Sequence, residues 1–470
     1  MSVTLVNTNL MRPPIAPLGL EYLAGSLLRS GVEVEVLDLC LVPDWRAAIA
    51  AHFSSREPEL VGLSFRNVDD SFWPSARSFV PVLKEMVTAI RGASRAPLVL
   101  GGVGFSLFPA RLLEETGAEY GIAGDGEGTL PALLEAVRGR TAPEKVPGLL
   151  WREGGKVRAN PPNWPSLDAG PWRRDILDNE SYMLRGGQLG LETWRGCPRK
   201  CGFCADWKAK GTAARLRDPA AVAAEAAGLA RRGLGILHLC DGDFNVPPGH
   251  AEAVCREISG LGLGDGLRWY AYLAAEPFTP ELARAMRAAG CAGINFTGPS
   301  ASPTMLRSYN QPHGREALAR AVWLCREYGI ASMVDLLLGG PGETPGTVRE
   351  GMAFLKEAGP DCVGAALGIR LYPGLPMTAQ LERDGPLEGN PGLRRRYDGP
   401  VDLLRPTYYI SPALGSAPAT IVREAIGGDP RFFAPSDEPE PGYNYSDNTP
   451  LEKAIAAGAR GAYWDILRGK

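Results

Sequence analysis

Short apolar segments alternate with helical segments, such as 18–29 and 75–91, over residues 1–140 of the chain. The apolar segments cover residues 3–6, 32–37, 60–65, 97–102 and 120–123. A helix between two strands lets both run in the same direction in one sheet. We therefore predict an α/β fold in which residues 1–140 form a doubly wound parallel sheet of flavodoxin or Rossmann type. Ligands bind such a sheet beyond the carboxyl ends of its strands.

The same alternation resumes near residue 188 and predicts a second parallel sheet. Its strands are expected at residues 189–193, 235–240, 268–273, 292–297, 331–338 and 362–371. Six strand–helix units make a partial (β/α)6 barrel over residues 186–384, with chemistry at the carboxyl ends of the strands. The proline-rich residues 141–185 predict a linker that contains one hairpin. Residues 385–470 predict a small C-terminal domain, a substrate or lid domain that does not continue the barrel.

The composition is that of an ordinary globular protein. Hydrophobic residues make up 45% of the 470 and the formal net charge is -3, so no global field attracts nucleic acid or an anionic membrane. The sequence has no long apolar segment, and its start lacks the basic and apolar regions of a leader peptide. We expect a cytoplasmic protein that binds neither nucleic acid nor membrane.

Three of the nine cysteines are clustered in the segment CPRKCGFC, as Cys197, Cys201 and Cys204. A 4Fe–4S cluster is held by cysteine thiolates and takes four ligands, so three close cysteines leave one iron open to a ligand that is not protein. A structural zinc site and plain redox thiols are the alternatives. Zinc, however, needs a fourth cysteine or histidine, usually from a second pair, and the other six cysteines are scattered singly.

This cysteine motif, with Phe203 before its last cysteine, resembles the signature of the radical S-adenosylmethionine (SAM) superfamily. The turns LGGPGET at 338–344 and YPGLP at 372–376 resemble further motifs of that superfamily. The resemblance implies that the three cysteines form the catalytic cluster, that SAM binds its open iron, and that an external flavodoxin- or ferredoxin-type protein donates electrons. The implied SAM contacts are Phe203, Gly242, Asp243, Ser300 and Gly340.

Four segments before residue 140 resemble, in order, the N-terminal cobalamin-binding domain of the cobalamin-dependent radical SAM enzymes. They are PLGLEYLA at 17–24, GLSFRN at 62–67, LVLGGVGFSLFP at 98–109 and GIAGDGEGTLPALL at 121–134. Glycine in such loops lets the backbone approach a ligand closely. The implied cobalamin contacts are Asn7, Arg66, Asn67, Gly101, Gly102, Gly104, Gly126 and Glu127.

We expect the cobalt of a bound cobalamin to have no histidine as its lower ligand. Many cobalamin-binding domains carry the motif DxHxxG for this purpose, but it is absent here and His52 is the only histidine before residue 200. In relatives a side chain at the end of the third strand approaches the lower face of cobalamin, and Arg66 occupies that place. A contact of Arg66 with a phosphate, a propionamide or Asp69 is the alternative.

Other polar residues leave alternatives open. His238 and Cys240 share one face of a barrel strand and are either part of a second metal site or core residues. The two arginines within residues 215–217 either pair with the carboxylate of SAM or lie on a solvated face. The aromatic residues of the tail either line a substrate pocket or pack a lid onto the barrel, and Asn444 and Asp447 are the better substrate candidates.

The combined resemblance implies a cobalamin-dependent radical SAM enzyme. It most directly implies a C-methyltransferase that moves a methyl group from SAM, through methylcobalamin, to an unactivated carbon of a natural-product intermediate or peptide. Relatives carry a glutamate near Ser300, and its absence here permits a variant in which SAM is not cleaved to a radical and methylation is polar. A rearrangement, cyclisation or oxidation is the first alternative, and a non-catalytic cobalamin or SAM sensor is the second.

Overall fold

A computed structural model describes residues 2–167, 172–247, 249–436 and 445–468 of the chain. Two seven-stranded sheets dominate it, one formed before residue 160 and the other after residue 188. Both sheets are built from parallel strands joined through helices, apart from one hairpin in the first. The α/β architecture predicted from the alternation of strands and helices is therefore confirmed.

The strands of the first sheet are β1 (Ser2–Asn7), β2 (Glu33–Asp38), β3 (Leu60–Ser64), β4 (Leu98–Gly101), β5 (Tyr120–Ile122), β6 (Leu149–Glu153) and β7 (Lys156–Ala159). Their order in space is β2-β1-β3-β4-β5-β6-β7, and the first five run parallel. The hairpin β6–β7 joins the edge of β5 in antiparallel fashion. Part of the predicted linker 141–185 thus extends the first sheet.

The helices of this region are α1 (Leu18–Arg29), α2 (Trp45–Phe53), α3 (Val80–Ala93), α4 (Val103–Leu107), α5 (Pro109–Thr116) and α6 (Thr129–Val137). Helix α3 begins at Val80, so the helix expected from residue 75 is wrong over its first turn. The carboxylate of Asp70 accepts hydrogen bonds from the backbone N–H groups of Phe72 and Arg77, and these contacts hold the preceding segment as a loop.

The strands that follow are β8 (Leu189–Leu191), β9 (Trp194–Arg195), β10 (Arg215–Leu216), β11 (Ile236–Leu239), β12 (Arg268–Leu273), β13 (Cys291–Phe296), β14 (Ala331–Leu338), β15 (Cys362–Leu367), β16 (Ile369–Arg370), β17 (Leu393–Arg395), β18 (Thr407–Tyr409) and β19 (Phe432–Phe433). The second sheet has the order β19-β15-β14-β13-β12-β11-β8 and is a partial barrel. Strands β9 and β10 form a short ribbon, and β16, β18 and β17 a small antiparallel sheet.

Two features of the second sheet differ from the expectation. The strand predicted at 362–371 is interrupted at Gly368, whose φ of 95° ends β15 and directs β16 toward β18. The tail adds β19 to the free edge of β15, so residues 385–470 do contribute one short strand to the barrel sheet. A strand of two phenylalanines has no periodicity that a sequence pattern can detect.

The helices of the barrel and tail are α7 (Asn179–Gly186), α8 (Asp206–Lys210), α9 (Pro219–Arg231), α10 (His250–Gly260), α11 (Pro280–Ala288), α12 (Pro303–Ser308), α13 (Arg315–Tyr328), α14 (Pro345–Ala358), α15 (Pro376–Asp384), α16 (Pro418–Ile426), α17 (Thr449–Ala456) and α18 (Tyr463–Leu467). Within the described ranges, none of the helices combines the length and apolar character needed to cross a bilayer.

The C-terminal helix α18 closes the barrel near the amino ends of its strands. The ring of Trp464 packs where Gly293 has no side chain, since a Cβ there would lie 2.7 Å from the ring. The hydroxyl of Tyr270 on β12 donates a hydrogen bond of 2.6 Å to Asp465. The tail therefore forms the floor of the barrel interior.

Candidate functional site

A cavity of about 680 Å³ lies where the loops of the first sheet meet the barrel. Its walls come from both sheets and from the C-terminal segment. They include Asn7, Arg66, Asn67, Gly101, Gly102, Gly126, Glu127, Glu192, Arg195, Lys210, His238, Cys240, Tyr272, Tyr445, Tyr463 and Trp464. All the residues predicted to contact cobalamin, apart from Gly104, are in this lining, although their role as contacts remains a prediction.

Gly101 and Gly104, at the end of β4 and just after it, have different surroundings. A Cβ at Gly101 would meet no atom within 4 Å, so the backbone there is open to a ligand. Gly104 instead packs against the loop after β3, because a Cβ there would lie 2.9 Å from the carbonyl oxygen of Phe65. The N–H of Gly104 donates to the carbonyl of Arg66 at 2.9 Å. Gly104 supports the Arg66 loop and does not line the cavity, which corrects its predicted place.

Arg66 projects from this loop into the cavity and is exposed. The described residues include no acidic partner for it, and Asp69 pairs instead with Arg370, whose Nε lies 2.8 Å from the Asp69 carboxylate. The alternative contact between Arg66 and Asp69 is therefore not formed. His52 lies on α2 beside Thr4 and Glu35, away from the cavity lining.

His238 faces the cavity from β11, so the interpretation of this histidine as a core residue is wrong. Burial, followed by the positive charge of Arg66, lowers the pKa of His238 to about 4, and the imidazole is neutral near pH 7. The structure, as far as it is described, contains no three histidine, cysteine or acidic groups arranged to hold one metal ion. The second metal site considered for His238 and Cys240 is thus not supported.

A group of ion pairs joins the first sheet to the barrel beside the cavity. Arg195 on β9 lies 2.8 Å from the carboxylate of Glu127, 3.1 Å from Asp125 and 3.0 Å from Glu192. Arg215 on β10 also pairs with Asp125. Burial alone would raise the pKa of Glu127, but Arg195 holds it below its usual range. The Glu127 carboxylate is engaged by Arg195, and the carbonyl oxygen of Glu127 accepts a hydrogen bond from the Ser26 hydroxyl.

The two arginines within residues 215–217 fit neither sequence interpretation. Arg215 pairs with Asp125 as described above. Arg217 is buried, with Nη2 at 2.6 Å from the Glu225 carboxylate and Nη1 at 2.9 Å from the Tyr22 hydroxyl. Both side chains are engaged by protein groups, so they neither lie on a solvated face nor have a free guanidinium for SAM.

The cysteine loop is held by the strand and helix ends around it. The N–H of Cys197 donates to the carbonyl of Gly211 at 2.9 Å, and the N–H of Gly202 to the carbonyl of Tyr309 at 3.0 Å. Burial raises the pKa of the Cys197 thiol to about 11, and it also raises the pKa of Cys201 and of Cys204. Metal binding at this loop must therefore displace protons.

The number of thiols in this loop fits an iron–sulfur cluster better than zinc. A zinc ion takes four ligands within about 2.3 Å, so its sulfurs must converge on one point. A 4Fe–4S cluster binds each thiolate to a different iron, so the sulfurs remain further apart. Cys197, Cys201 and Cys204 lie in one loop and influence one another electrostatically. Three thiolates supply the protein ligands of a cluster that leaves one iron open, whereas a structural zinc ion needs a fourth protein ligand.

Among the predicted SAM contacts, Gly242 and Phe203 lie at the cysteine loop, whereas Ser300 lies in a separate turn. A Cβ at Gly242 would lie 4.0 Å from the Cys197 sulfur. The ring of Phe203 packs edge-on against Tyr309, and the Tyr309 hydroxyl accepts a hydrogen bond from the N–H of Gly340 at 3.1 Å. Ser300 is buried and its hydroxyl accepts from the N–H of Ser302, and its contact with SAM stays a prediction.

Asp243 lies beside the cysteine loop. Its carboxylate is 3.2 Å from the Nε of Arg199 and accepts a 2.8 Å hydrogen bond from the Thr297 hydroxyl. Burial raises its pKa to about 6, and the positive charge of Arg199 opposes that shift. An anionic acceptor at this place is suited to an amino group, as predicted for the amine of SAM.

Four neighbouring barrel strands carry polar side chains on the face that meets the cavity. Tyr272 on β12 pairs in register with Asn295 on β13, and Asn295 with Met333 on β14. Asp335, two residues beyond Met333, lies on the same face. His238 and Tyr272 line the cavity, so this face forms the barrel interior. Asn295 and Asp335 were not among the site residues predicted from the sequence, where each is a polar residue inside a largely apolar strand.

Some aromatic residues of the tail line the cavity, and others pack within the protein. Tyr445, Tyr463 and Trp464 line the cavity, whereas Tyr408 is buried in the small sheet formed by β16, β18 and β17. Asp447 forms a surface ion pair of 2.7 Å with Arg77 and does not reach the cavity, which corrects its candidacy as a substrate contact. Asn444 lies outside the described residues.

Comparisons with known proteins also distinguish the region of the first sheet from the region of the barrel. Residues 191–355 match the Radical SAM superfamily and residues 6–134 match the B12 binding domain. Tryptophan 2-C-methyltransferase from Streptomyces laurentii is 31% identical over 100% of this chain and 96% of that protein. The radical SAM methyltransferase TsrM from Kitasatospora setae, solved with tryptophan and a SAM analogue, is 33% identical with a TM-score of 0.92, over 99% of this chain and 97% of that one.

A second TsrM structure, with cobalamin and a [4Fe-4S] cluster bound, has a TM-score of 0.90 at 32% identity and covers 100% of this chain and 98% of that one. A cobalamin-binding sheet facing a barrel with a cysteine loop defines an enzyme with two cofactor sites. The chain belongs to the cobalamin-dependent radical SAM methyltransferases. It is an enzyme whose cofactors are a 4Fe–4S cluster, SAM and cobalamin, and the resemblance inferred from the sequence is confirmed.

Proposed function

We propose that this enzyme transfers a methyl group from SAM to C2 of the indole ring of tryptophan, with release of S-adenosylhomocysteine and the C2 proton. The observation that carries this proposal is the full-length likeness to two methyltransferases, tryptophan 2-C-methyltransferase at 31% identity and one solved with tryptophan bound at 33% identity. The cavity supports it, because Tyr272, Tyr445, Tyr463 and Trp464 supply aromatic walls suited to an indole.

We propose that Cys197, Cys201 and Cys204 hold the cluster, and that the cavity lining of the first sheet holds cobalamin. Bound cobalamin supplies a cobalt centre that carries a methyl group between SAM and the substrate. Arg66 is the residue we assign to the lower face of cobalamin, since it projects into the cavity and has no acidic partner in the described parts of the chain. A guanidinium in this place disfavours a water ligand on the cobalt.

A flavodoxin- or ferredoxin-type protein is the proposed electron donor. Cys197, Cys201 and Cys204 are each partly accessible, and the neighbouring Pro198 and Lys200 are exposed. A donor that carries acidic side chains around its own cofactor can approach this loop with favourable electrostatics.

The direct test is a methyl-transfer assay. The protein is purified without oxygen, loaded with iron, sulfide and cobalamin, and incubated with SAM, reductant and tryptophan. We expect a product one methyl group heavier than tryptophan and an equal amount of S-adenosylhomocysteine, both measured by mass spectrometry. The matched controls are Cys201→Ala, which removes one cluster ligand, and Cys325→Ala, which changes a buried cysteine on α13.

Loss of product in Cys201→Ala, with product retained in Cys325→Ala, supports the assignment of the cysteine loop. Consumption of tryptophan without S-adenosylhomocysteine would instead indicate a rearrangement, cyclisation or oxidation, since only methyl transfer makes that by-product. Methylation of other indoles but not of tryptophan would contradict the substrate while leaving the reaction class intact.

A further inference from the structure

Asp335 on β14 presents a carboxylate to the barrel interior and has no cationic partner there. Its one side-chain hydrogen bond within the described residues comes from the Nδ2 of Asn295 to its Oδ2. The other oxygen, Oδ1, is buried and accepts no hydrogen bond. Burial raises the pKa of Asp335 to about 6, and a cation bound beside it would favour its ionised form.

Asn295 leaves a second acceptor beside this carboxylate. Because its Nδ2 donates to Asp335, its Oδ1 faces elsewhere, and that oxygen is also buried without a hydrogen bond. Two buried acceptors without donors are costly, and each is expected to lose about 1–3 kcal/mol relative to a satisfied group. The pair Asp335–Asn295 is therefore suited to a ligand that supplies several N–H donors and a positive charge.

Aromatic rings surround the same carboxylate. Burial and then the charge of Asp335 raise the pKa of Tyr272, and the same two causes raise the pKa of Tyr463. Both rings line the cavity, and His238 packs edge-on against Tyr272 with ring centroids 5.1 Å apart. Aromatic faces next to an anion favour a cation through their quadrupoles.

Protein cations near the cavity are engaged or directed elsewhere. Arg195 pairs with Asp125, Glu127 and Glu192. Lys210 lies 2.7 Å from the carboxylate of Asp206. Arg66 forms no ion pair with Asp335 in the described part of the chain. Among the described residues, no protein cation competes with a bound cation at Asp335.

We propose that Asp335 and Asn295 bind the ammonium group of a free α-amino acid substrate. This inference rests on the proposed function and narrows it, because a primary ammonium offers three donors and a charge whereas a peptide nitrogen offers one neutral donor. The site therefore selects free tryptophan over tryptophan within a peptide. The carboxylate of the substrate is not part of this assignment.

The test compares four ligands on the enzyme loaded with cluster and cobalamin. Tryptophan and tryptamine carry the ammonium, whereas N-acetyltryptophan and indole-3-propionate do not. By calorimetric titration without oxygen, we expect the first two ligands to bind at least about 30-fold more tightly than the last two, because a charge-assisted hydrogen bond is lost. In Asp335→Asn this preference should fall to about threefold or less. Glu316→Gln, on the exposed surface of α13, is the control.

Equal binding of tryptophan and N-acetyltryptophan to the wild-type enzyme would overturn the inference, and this comparison does not depend on a variant that folds. An unchanged preference in Asp335→Asn would also overturn it. A preference that depends on Asp335, in an enzyme that methylates no indole, would sustain the ammonium site and reject the proposed reaction. Failure of all four ligands to bind would reject both.

Discussion

The loop that carries Arg66 is held in place by contacts with neighbouring protein groups. The loop after β3 is fixed from one side by the N–H of Gly104, which donates to the Arg66 carbonyl, and from the other by the pair Asp69–Arg370. The backbone is thus set while the guanidinium remains free to face the cavity. This arrangement fits a residue that acts on a large flat ligand through its charge.

Replacing Arg66 by alanine tests that role. We expect Arg66→Ala to retain about one cobalt per chain, since the surrounding loops still bind cobalamin, and to show an altered cobalt spectrum because water gains access to the lower face. Methyl transfer should fall by at least about tenfold. Electron paramagnetic resonance and cobalt analysis report these effects, with Arg77→Ala, from the surface pair with Asp447, as the control. A spectrum identical to the wild type would contradict the role.

Several site residues could be inferred from the sequence and others could not. The cysteines and the loops at the ends of β3, β4 and β5 carry motifs, so their places follow from spacing. The engagement of Glu127 by Arg195 joins residues far apart in the chain, and no local pattern reveals it. Asp335 was missed because one acid inside an apolar strand gives the same pattern as a solvent-facing residue.

At the scale of elements, the pair Asp69–Arg370 connects the loop after β3 with β16. Both side chains are buried, with 0% and 5% exposed. We expect Arg370→Met to lower the free energy of unfolding by about 3–5 kcal/mol, because the Asp69 charge remains buried without its partner. The surface pair Arg46–Glu85 is the matched control, and Arg46→Met should cost about 0–1 kcal/mol. Denaturant titration measures both, and equal losses would argue against the buried pair.

Asp241, after β11, ties the ends of two barrel strands together. Its carboxylate accepts hydrogen bonds from the N–H groups of Thr193 and Trp194, at 2.8 and 3.1 Å, and burial raises its pKa to about 7. The folded state therefore binds more protons than the unfolded state between about pH 4 and pH 7, and this contribution to stability is lost as the pH rises through that window.

Asp241→Asn should remove this pH dependence, because the amide does not titrate. We expect its melting temperature to fall less than that of the wild type between about pH 4.5 and pH 7.5. Asp265→Asn, at an exposed position, should follow the wild type. Parallel pH profiles for Asp241→Asn and the wild type would show that this carboxyl does not titrate as described.

Most elements could be predicted from the sequence because they are long enough to show a periodic pattern of apolar residues. The strands of the first sheet and the strands β11–β14 follow from apolar runs bounded by turns. The ribbon β9–β10 and strand β19 have two residues each, and their existence depends on partners brought near by the rest of the fold. The late start of α3 has a similar cause, since the side chain of Asp70 competes with the helix for backbone N–H groups.

At the scale of the whole molecule, the carboxyl ends of two parallel sheets contribute to one cavity. The ion pairs of Arg195 and Arg215 with Asp125, and of Arg370 with Asp69, connect the two parts close to that cavity. Compared with apolar residues at both positions, buried pairs of this kind contribute little net stability, but they fix the first sheet relative to the barrel. The sequence predicts a ligand face on each sheet, whereas the contacts that orient the two faces involve side chains more than fifty residues apart.

We propose that a methyl group replaces the hydrogen at C2 of tryptophan. The most direct measurement uses SAM with a fully deuterated methyl group together with tryptophan deuterated at C2, followed by mass spectrometry and NMR of the product. We expect a product that contains the intact deuterated methyl group and has lost the deuterium from C2. A product that retains the C2 deuterium would show that methylation occurs at another position and would rule out C2 as the methylated carbon.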